Sequence, residues 1–341
     1  MAGFDFLQGV TVVEVAQLGP SALGGYLADM GADVIKVEGA QGDPIRRSGA
    51  EGAGSPDGYG YQHLRWNRGK RSVVIDLKSA RGIELFRDLV AGADVVYEGM
   101  RAGVLERLGV GYDVLRAEHP SLVFCSLSGY GLTGPYSAMG SSGPSYDAFG
   151  GMGAFSPYSH DHDAAEFESR VIGMHAVSLY AAMGVIAAIA KARLTGVGSL
   201  VEVSAAEAAA HWTPASLDRV LNEGVNHQRP GFNGESGKML GWPLLNEYTA
   251  SDGRRIFFQG RYPRFWGKFC ELVDRADLLA IADAGDDDRL FAELTELFAS
   301  RTAAAWMEFF LVNDIAGSPV NTLRDLAVDP HFVARDNVYE V

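Results

Sequence analysis

Cysteine is nearly absent: the 341 residues hold only Cys125 and Cys270, at no metal-ligand spacing. A disulfide framework is excluded, and a reducing, cytoplasmic setting is expected. Positive charge is also scarce, with 29 Lys and Arg against 43 Asp and Glu, a net charge of −14. Beyond the short stretch Arg65 to Arg71 there is no basic cluster, which argues against nucleic acid as the main partner. No membrane-spanning helix is expected, and Met1-Ala2-Gly3-Phe4-Asp5 lacks the basic start of a secretory leader. The motifs GxGxxG, G-x-S-x-G, H-E-x-x-H and the P-loop are all missing, so neither a dinucleotide fingerprint nor a familiar hydrolase or zincin signature is present. His160 and His162 form an HxH pair beside Asp161 and Asp163, with His175 nearby. The stretch is polar enough that a solvated loop is favoured over a metal site, and no metal is expected.

What is present is ordinary for a soluble enzyme: 47% apolar and 21% charged residues, with a length that favours two domains. The first half alternates strands and helices. β-Branched runs at Val10–Val15 and Val34–Val37 flank a helical stretch, Ser21–Met30, that Gly31 would cap. Ser72–Leu77, Asp94–Tyr97, Leu122–Leu127 and Leu200–Val203 read as further strands. Ala80–Ala91, Arg101–Leu108 and the Ala-rich Val171–Arg193 read as helices, the last apolar all round and so buried on several sides. Leu132–Phe155 reads as loop. The pattern predicts an α/β fold: a Rossmann-like large domain over residues 1–224 with an open parallel sheet. The glycine-rich stretch after Gly224 reads as a linker or lid. A hairpin at 246–258 and helices at Pro263–Val273 and Leu290–Ala299 complete a small α+β domain, 225–312. Residues 313–341 are expected to return to the large domain.

In such sheets ligands sit beyond the carboxyl ends of the strands. Gly19-Pro20 and Gly24-Gly25 flank the first strand-to-helix turn there. Lys36 and Arg46 lie just past a strand end, and Asn67-Arg68-Gly69-Lys70-Arg71 is the densest positive patch. Each has a plainer alternative: a tight turn, a salt bridge from Arg46 to Asp43 or Glu38, a solvated edge. These residues alone leave the chemistry open, beyond a phosphorylated ligand.

A series of segments, in order, resembles class III CoA-transferases: Val12 to Pro20, Gly31 to Glu38 with Gly42-Asp43, Asn67 to Ser72 with Asp76-Leu77-Lys78, and Leu105 to Tyr112. So do Ser128-Gly129-Tyr130-Gly131 with Gly134-Pro135, Thr195 to Gly198, and Ser318-Pro319-Val320. The resemblance implies an interlocked dimer with CoA or acyl-CoA as substrate and no covalently bound cofactor. The chain ends soon after Pro330-His331-Phe332, where the family usually continues. Gln17 and Leu18 match the loop that lies along CoA, and Arg46 and Arg107 match residues near its nucleotide. The loop Gly99-Met100-Arg101 matches one that usually opens with Asn. The candidate CoA-binding set is therefore Gln17, Leu18, Lys36, Arg46, Lys70, Met100, Arg101 and Arg107.

The resemblance also implies a nucleophile, an Asp opening the Ala-rich helix. It would attack the acyl-CoA carbonyl to give a mixed anhydride and then an aspartyl-CoA thioester. Here that position falls at Gly173 or Met174, and neither can act. Glu166 and Glu168 lie upstream as substitutes. Racemases of the family place a His-Asp pair where this chain has Ser142 and Gly143, with Asp147 nearby. The expectation is a subunit that moves CoA from a donor such as succinyl-CoA to a carboxylic acid, beside a paralogous chain carrying the Asp. A self-sufficient transferase using Glu166 or Glu168, a non-catalytic acyl-CoA-binding scaffold, and a racemase or isomerase are the alternatives. The glycine-rich stretch from Gly231 to Gly241 leaves the acyl group unnamed.

Overall fold

The computed structural model describes residues 4–47, 58–140, 143–151, 171–212, 214–222 and 242–335. The chain divides into two compact units, Met1–Glu223 and Gly224–Val341.

In chain order the first unit runs β1 (Thr11–Val15), α1 (Ala22–Asp29), β2 (Asp33–Glu38), α2 (Tyr61–Trp66), β3 (Arg71–Val74), α3 (Ala80–Val90), β4 (Val95–Glu98), α4 (Val104–Arg107) and α5 (Tyr112–Glu118). It continues with β5 (Val123–Ser128), α6 (Pro144–Phe149), α7 (Ile172–Thr195), β6 (Leu200–Ser204), α8 (Ala205–His211) and α9 (Pro214–Leu221). The six strands form one sheet in the order β3-β2-β1-β4-β5-β6. Every pairing is parallel. That order reverses direction between β1 and β4, and the crevice outside those two strand ends is where such sheets bind ligands.

The period of two along each strand splits the core into two layers. Val12, Val34, Val95 and Val123 face α1 and α7, together with Leu23, Leu27 and Val185. Val13, Val15, Val96 and Phe124 face the other side, against Phe86, Val90, Leu105 and Leu115. Phe86 is fully buried, and such a side chain contributes roughly 2–3 kcal/mol.

Helix α1 lies close to the sheet because it carries Gly24 where it crosses β1 and β4. A Cβ there would stand 2.3 Å from Glu14 Oε2 and 2.6 Å from Tyr97 Oη. Helix α7, 24 residues long, is apolar enough to cross a membrane by length and composition, which the expectation of no such segment overlooked. Half of its most apolar window is buried inside the protein, against the sheet, as in a core helix.

Several boundaries differ from expectation. The strand expected over Ser72–Leu77 is Arg71–Val74, because Asp76 turns the chain and Ser79 caps α3 through the Gly82 N–H at 3.0 Å. The helix expected over Arg101–Leu108 is one turn, preceded by Gly103 at φ 76°. Within the expected loop Leu132–Phe155, Pro144 at the first helical position and Gly150-Gly151 at the end mark α6. Helix α8 was missed too. Its signature is Ser204 followed three residues later by Glu207, whose N–H the serine hydroxyl accepts at 3.2 Å.

The second unit contains β7 (Leu245–Thr249), β8 (Arg255–Gln259), α10 (Pro263–Leu272), α11 (Asp277–Asp283), α12 (Asp287–Phe298), α13 (Ala303–Val312), β9 (Gly317–Pro319), α14 (Leu323–Val328) and α15 (Pro330–Ala334). Its core is aromatic, with Phe258 and Phe269 centroids 4.6 Å apart and Tyr248 on Phe298 at 4.7 Å. The segment from 313, expected to return to the large domain, instead supplies β9, antiparallel to β8 through Phe257↔Ser318. Arg254 also pairs with Asp325 of α14 at 3.0 Å. The backbone groups of β8 are satisfied on both sides only with β9 in place.

Candidate functional site

Four strand ends of the first unit open onto one cavity of about 150 Å³. The turn after β1 supplies Gln17, Leu18 and Pro20, and the turn after β4 supplies Gly99, Met100, Arg101 and Ala102. The end of β5 adds Leu127, Ser128 and Gly129, and Ala205 follows β6. Met174 and Val177 come from the first two turns of α7, Tyr146 from α6, and Ser137 and Met139 from the preceding loop. The lining is mostly apolar, with Arg101 its one charged side chain and no carboxylate among the described residues. Arg101 is exposed and makes no ion pair with the described residues.

The β1 and β4 turns touch closely, since a Cβ on Gly99 would lie 2.6 Å from Pro20 Cβ. Leu18 has φ 56° and ψ −141°, a conformation that strains an L-residue by about 1–3 kcal/mol. It is also 39% exposed on the wall.

Beneath that turn lies a buried charge cluster. Glu14 meets Lys36 at 2.8 Å and Lys70 at 2.7 Å, and Lys36 also meets Asp43 at 3.0 Å. Burial lowers Lys70 to about 8 against the pull of Glu14. Burial also raises Tyr97 well above its ordinary value, and the Glu14 charge adds to this. At the end of β4, burial pushes the Glu98 carboxyl up to about 7, against hydrogen bonds from the Ser126 hydroxyl and the Met100 N–H, the latter at 2.7 Å.

Of the eight expected CoA contacts, Gln17, Leu18, Met100 and Arg101 line the cavity. Lys36, Arg46, Lys70 and Arg107 do not. Lys36 and Lys70 point inward, each side chain 2% exposed. Arg46 forks onto Glu38 at 3.0 and 2.5 Å. Burial alone would raise Glu38, but hydrogen bonds from Arg46, Ser72 and the Asp43 N–H hold it down at about 2. Arg107 is exposed in the last turn of α4. In the basic patch, Arg68 pairs with Asp29 and Arg71 with Asp33.

At the start of α7, Met174 stands in the wall, and its sulfur accepts the Gly143 N–H at 3.1 Å. Gly173 faces away, since a Cβ there would meet the Ala205 carbonyl oxygen at 2.6 Å. Asp147 is 4% exposed and caps the helix, accepting from Ile172 N at 2.8 Å and Gly173 N at 2.7 Å. The substitutes Glu166 and Glu168, together with Ser142, His160 and His162, lie outside the described residues. Glu14, Asp43 and Glu98 were missed as parts of the site. The signal for Glu14 and Glu98 was present: acids within apolar strand runs need partners.

A sequence profile for CoA-transferase family III matches residues 7–341. The chain belongs to that family. Among family III relatives, succinyl-CoA–L-malate CoA-transferase alpha subunit of Chloroflexus aurantiacus is 28% identical over 97% of this chain and 78% of its own length. Succinyl-CoA:(R)-benzylsuccinate CoA-transferase subunit BbsE of Thauera aromatica is 30% identical over 98% of this chain and 83% of its own. The crystal structure of Rv3272 from M. tuberculosis superposes with a TM-score of 0.82 at 27% identity, covering 99% of this chain and 90% of the other. The likeness extends over both units.

Proposed function

We propose that this chain is one subunit of a CoA-transferase that moves CoA from an acyl-CoA such as succinyl-CoA to a carboxylic acid. It cradles the thioester in the cavity at the β1 and β4 ends, while a sister chain supplies the attacking aspartate. The observation that carries this reading is Met174: a thioether occupies the wall at the opening of α7, and it cannot form an acyl anhydride. Two of the similar proteins are themselves named as subunits, which fits a divided assembly.

In this reading Gln17, Leu18, Met100 and Arg101 meet the CoA moiety, with Arg101 as the cation toward an anionic group. Arg107, exposed nearby in sequence, is a second cation for the nucleotide end. The assembly is an interlocked dimer, with the paralogue or with a second copy.

The test is co-expression with an Asp-bearing paralogue. CoA transfer from succinyl-CoA should appear in the mixture and be absent from either chain alone. Full turnover by this chain alone would overturn the subunit role. It would then favour Glu166 or Glu168 as nucleophile, which single changes to Gln would locate.

A further inference from the structure

The turn over residues 16–21 forms one wall of the cavity and is tied to side chains from other elements. Lys36 Nζ donates to the Ala16 carbonyl at 2.7 Å and to Ser21 Oγ at 2.8 Å. Asp43 Oδ1 accepts the Leu18 N–H at 3.4 Å and the Ile45 N–H at 3.0 Å. Lys70 Nζ donates to the Ser21 carbonyl at 2.6 Å and to Asn67 Oδ1 at 3.0 Å. Glu14 sits between the two ammonium groups and balances them. The backbone on both sides of Leu18, and the Leu18 N–H itself, is thus tied to three charged residues from outside the turn. A strained conformation persists only where its surroundings over-determine it, and this cluster does so.

We propose that Lys36, Asp43 and Lys70 are positioning residues: they hold the turn with Leu18 in its left-handed conformation, and they touch no ligand themselves. This rests on the reading that the cavity takes an acyl-CoA. It departs from the expectation that the two lysines belong to the CoA-binding set. An ammonium already saturated by Glu14, a carbonyl and a hydroxyl has no free direction left for a phosphate.

The test titrates CoA into the full-length protein, comparing wild type with Lys36→Met and Asp43→Asn at low and high salt. Asp43→Asn is near-isosteric and stays readable if Lys36→Met, which leaves buried Asp43 without its cation, fails to fold. Loosening the turn should weaken CoA about tenfold, while the salt dependence stays that of wild type. An unchanged affinity, or a loss with a clearly shallower salt dependence (the mark of a removed phosphate contact), would overturn the proposal.

A second readout needs no ligand. Leu18→Gly removes the strain, so Asp43→Asn should shift the unfolding equilibrium at least about threefold less in that background than in wild type. Strict additivity would refute the holding role. Failure of the wild type to bind CoA at all would instead count against the proposed ligand, leaving this unfolding cycle to decide on the turn.

Discussion

The Gly143 N–H points at the sulfur of Met174, 3.1 Å away, and Met174 is part of the cavity wall. A thioether is a weak acceptor, so this donor has a poorer partner than a carboxylate would be. The same spot lies in the first turn of a 24-residue helix, where negative charge is favoured.

Met174→Asp should therefore be tolerated and should create a reactive carboxylate. With succinyl-CoA, the variant chain alone should form an aspartyl-CoA adduct that hydroxylamine traps, while wild type forms none. Mass spectrometry of the peptide containing residue 174 reads this directly. No adduct despite CoA binding would mean that the attacking group does not belong at this position.

Glu98 predicts a pH dependence of stability. Its folded-state carboxyl titrates at about 7 against an ordinary value of 4.5. Between those values the folded state keeps a proton that the unfolded chain has lost. The contribution is full below pH 4.5 and disappears as pH rises through 7, about 3 kcal/mol in all. Glu98→Gln should flatten this slope in urea unfolding measured at pH 5 and pH 8. An equal slope in both proteins would show that the carboxyl is ionised throughout.

Arg46 predicts the opposite sign. It helps hold Glu38 at about 2, so that carboxylate contributes stability above pH 4.5 that is lost as pH falls through 2. Arg46→Gln leaves a buried acid without its cation. It should destabilise the fold by about 3 kcal/mol and move acid unfolding to higher pH. If Arg46 served a phosphate instead, its removal would leave the acid limb in place and weaken only CoA.

Asp147→Asn tests the cap of α7. Two charge-assisted hydrogen bonds to backbone N–H groups become weaker or are lost, at a cost of about 1–2 kcal/mol. Thermal unfolding measures the loss. A larger drop in transfer activity than in stability would implicate Asp147 in the chemistry itself.

The alternation of β-branched runs with capped helices made the parallel sheet legible in the sequence. The cavity lies where the sequence reading placed ligands, beyond the carboxyl ends of the strands, but the strand order was not legible. Helices α6 and α8 were not: the turn-like composition of α6 masks a short segment, and α8 is only seven residues long despite its helix-forming alanines. The fate of the cations was also hidden. Spacing places Lys36 and Lys70 near strand ends, but only the packing of Gly24 over Glu14 and Tyr97 shows that those ends are roofed, with the charges turned inward. Likewise β9, three residues long, carries no strand signal and is defined by its partner β8.

The inward lysines also have a kinetic consequence. Lys36 and Lys70 are matched inside by Glu14 and Asp43, so they offset none of the chain's net charge of −14 near the cavity, and an approaching polyanion meets long-range repulsion until it reaches Arg101. Added electrolyte should then speed encounter rather than slow it, the reverse of the steering seen at positively charged clefts.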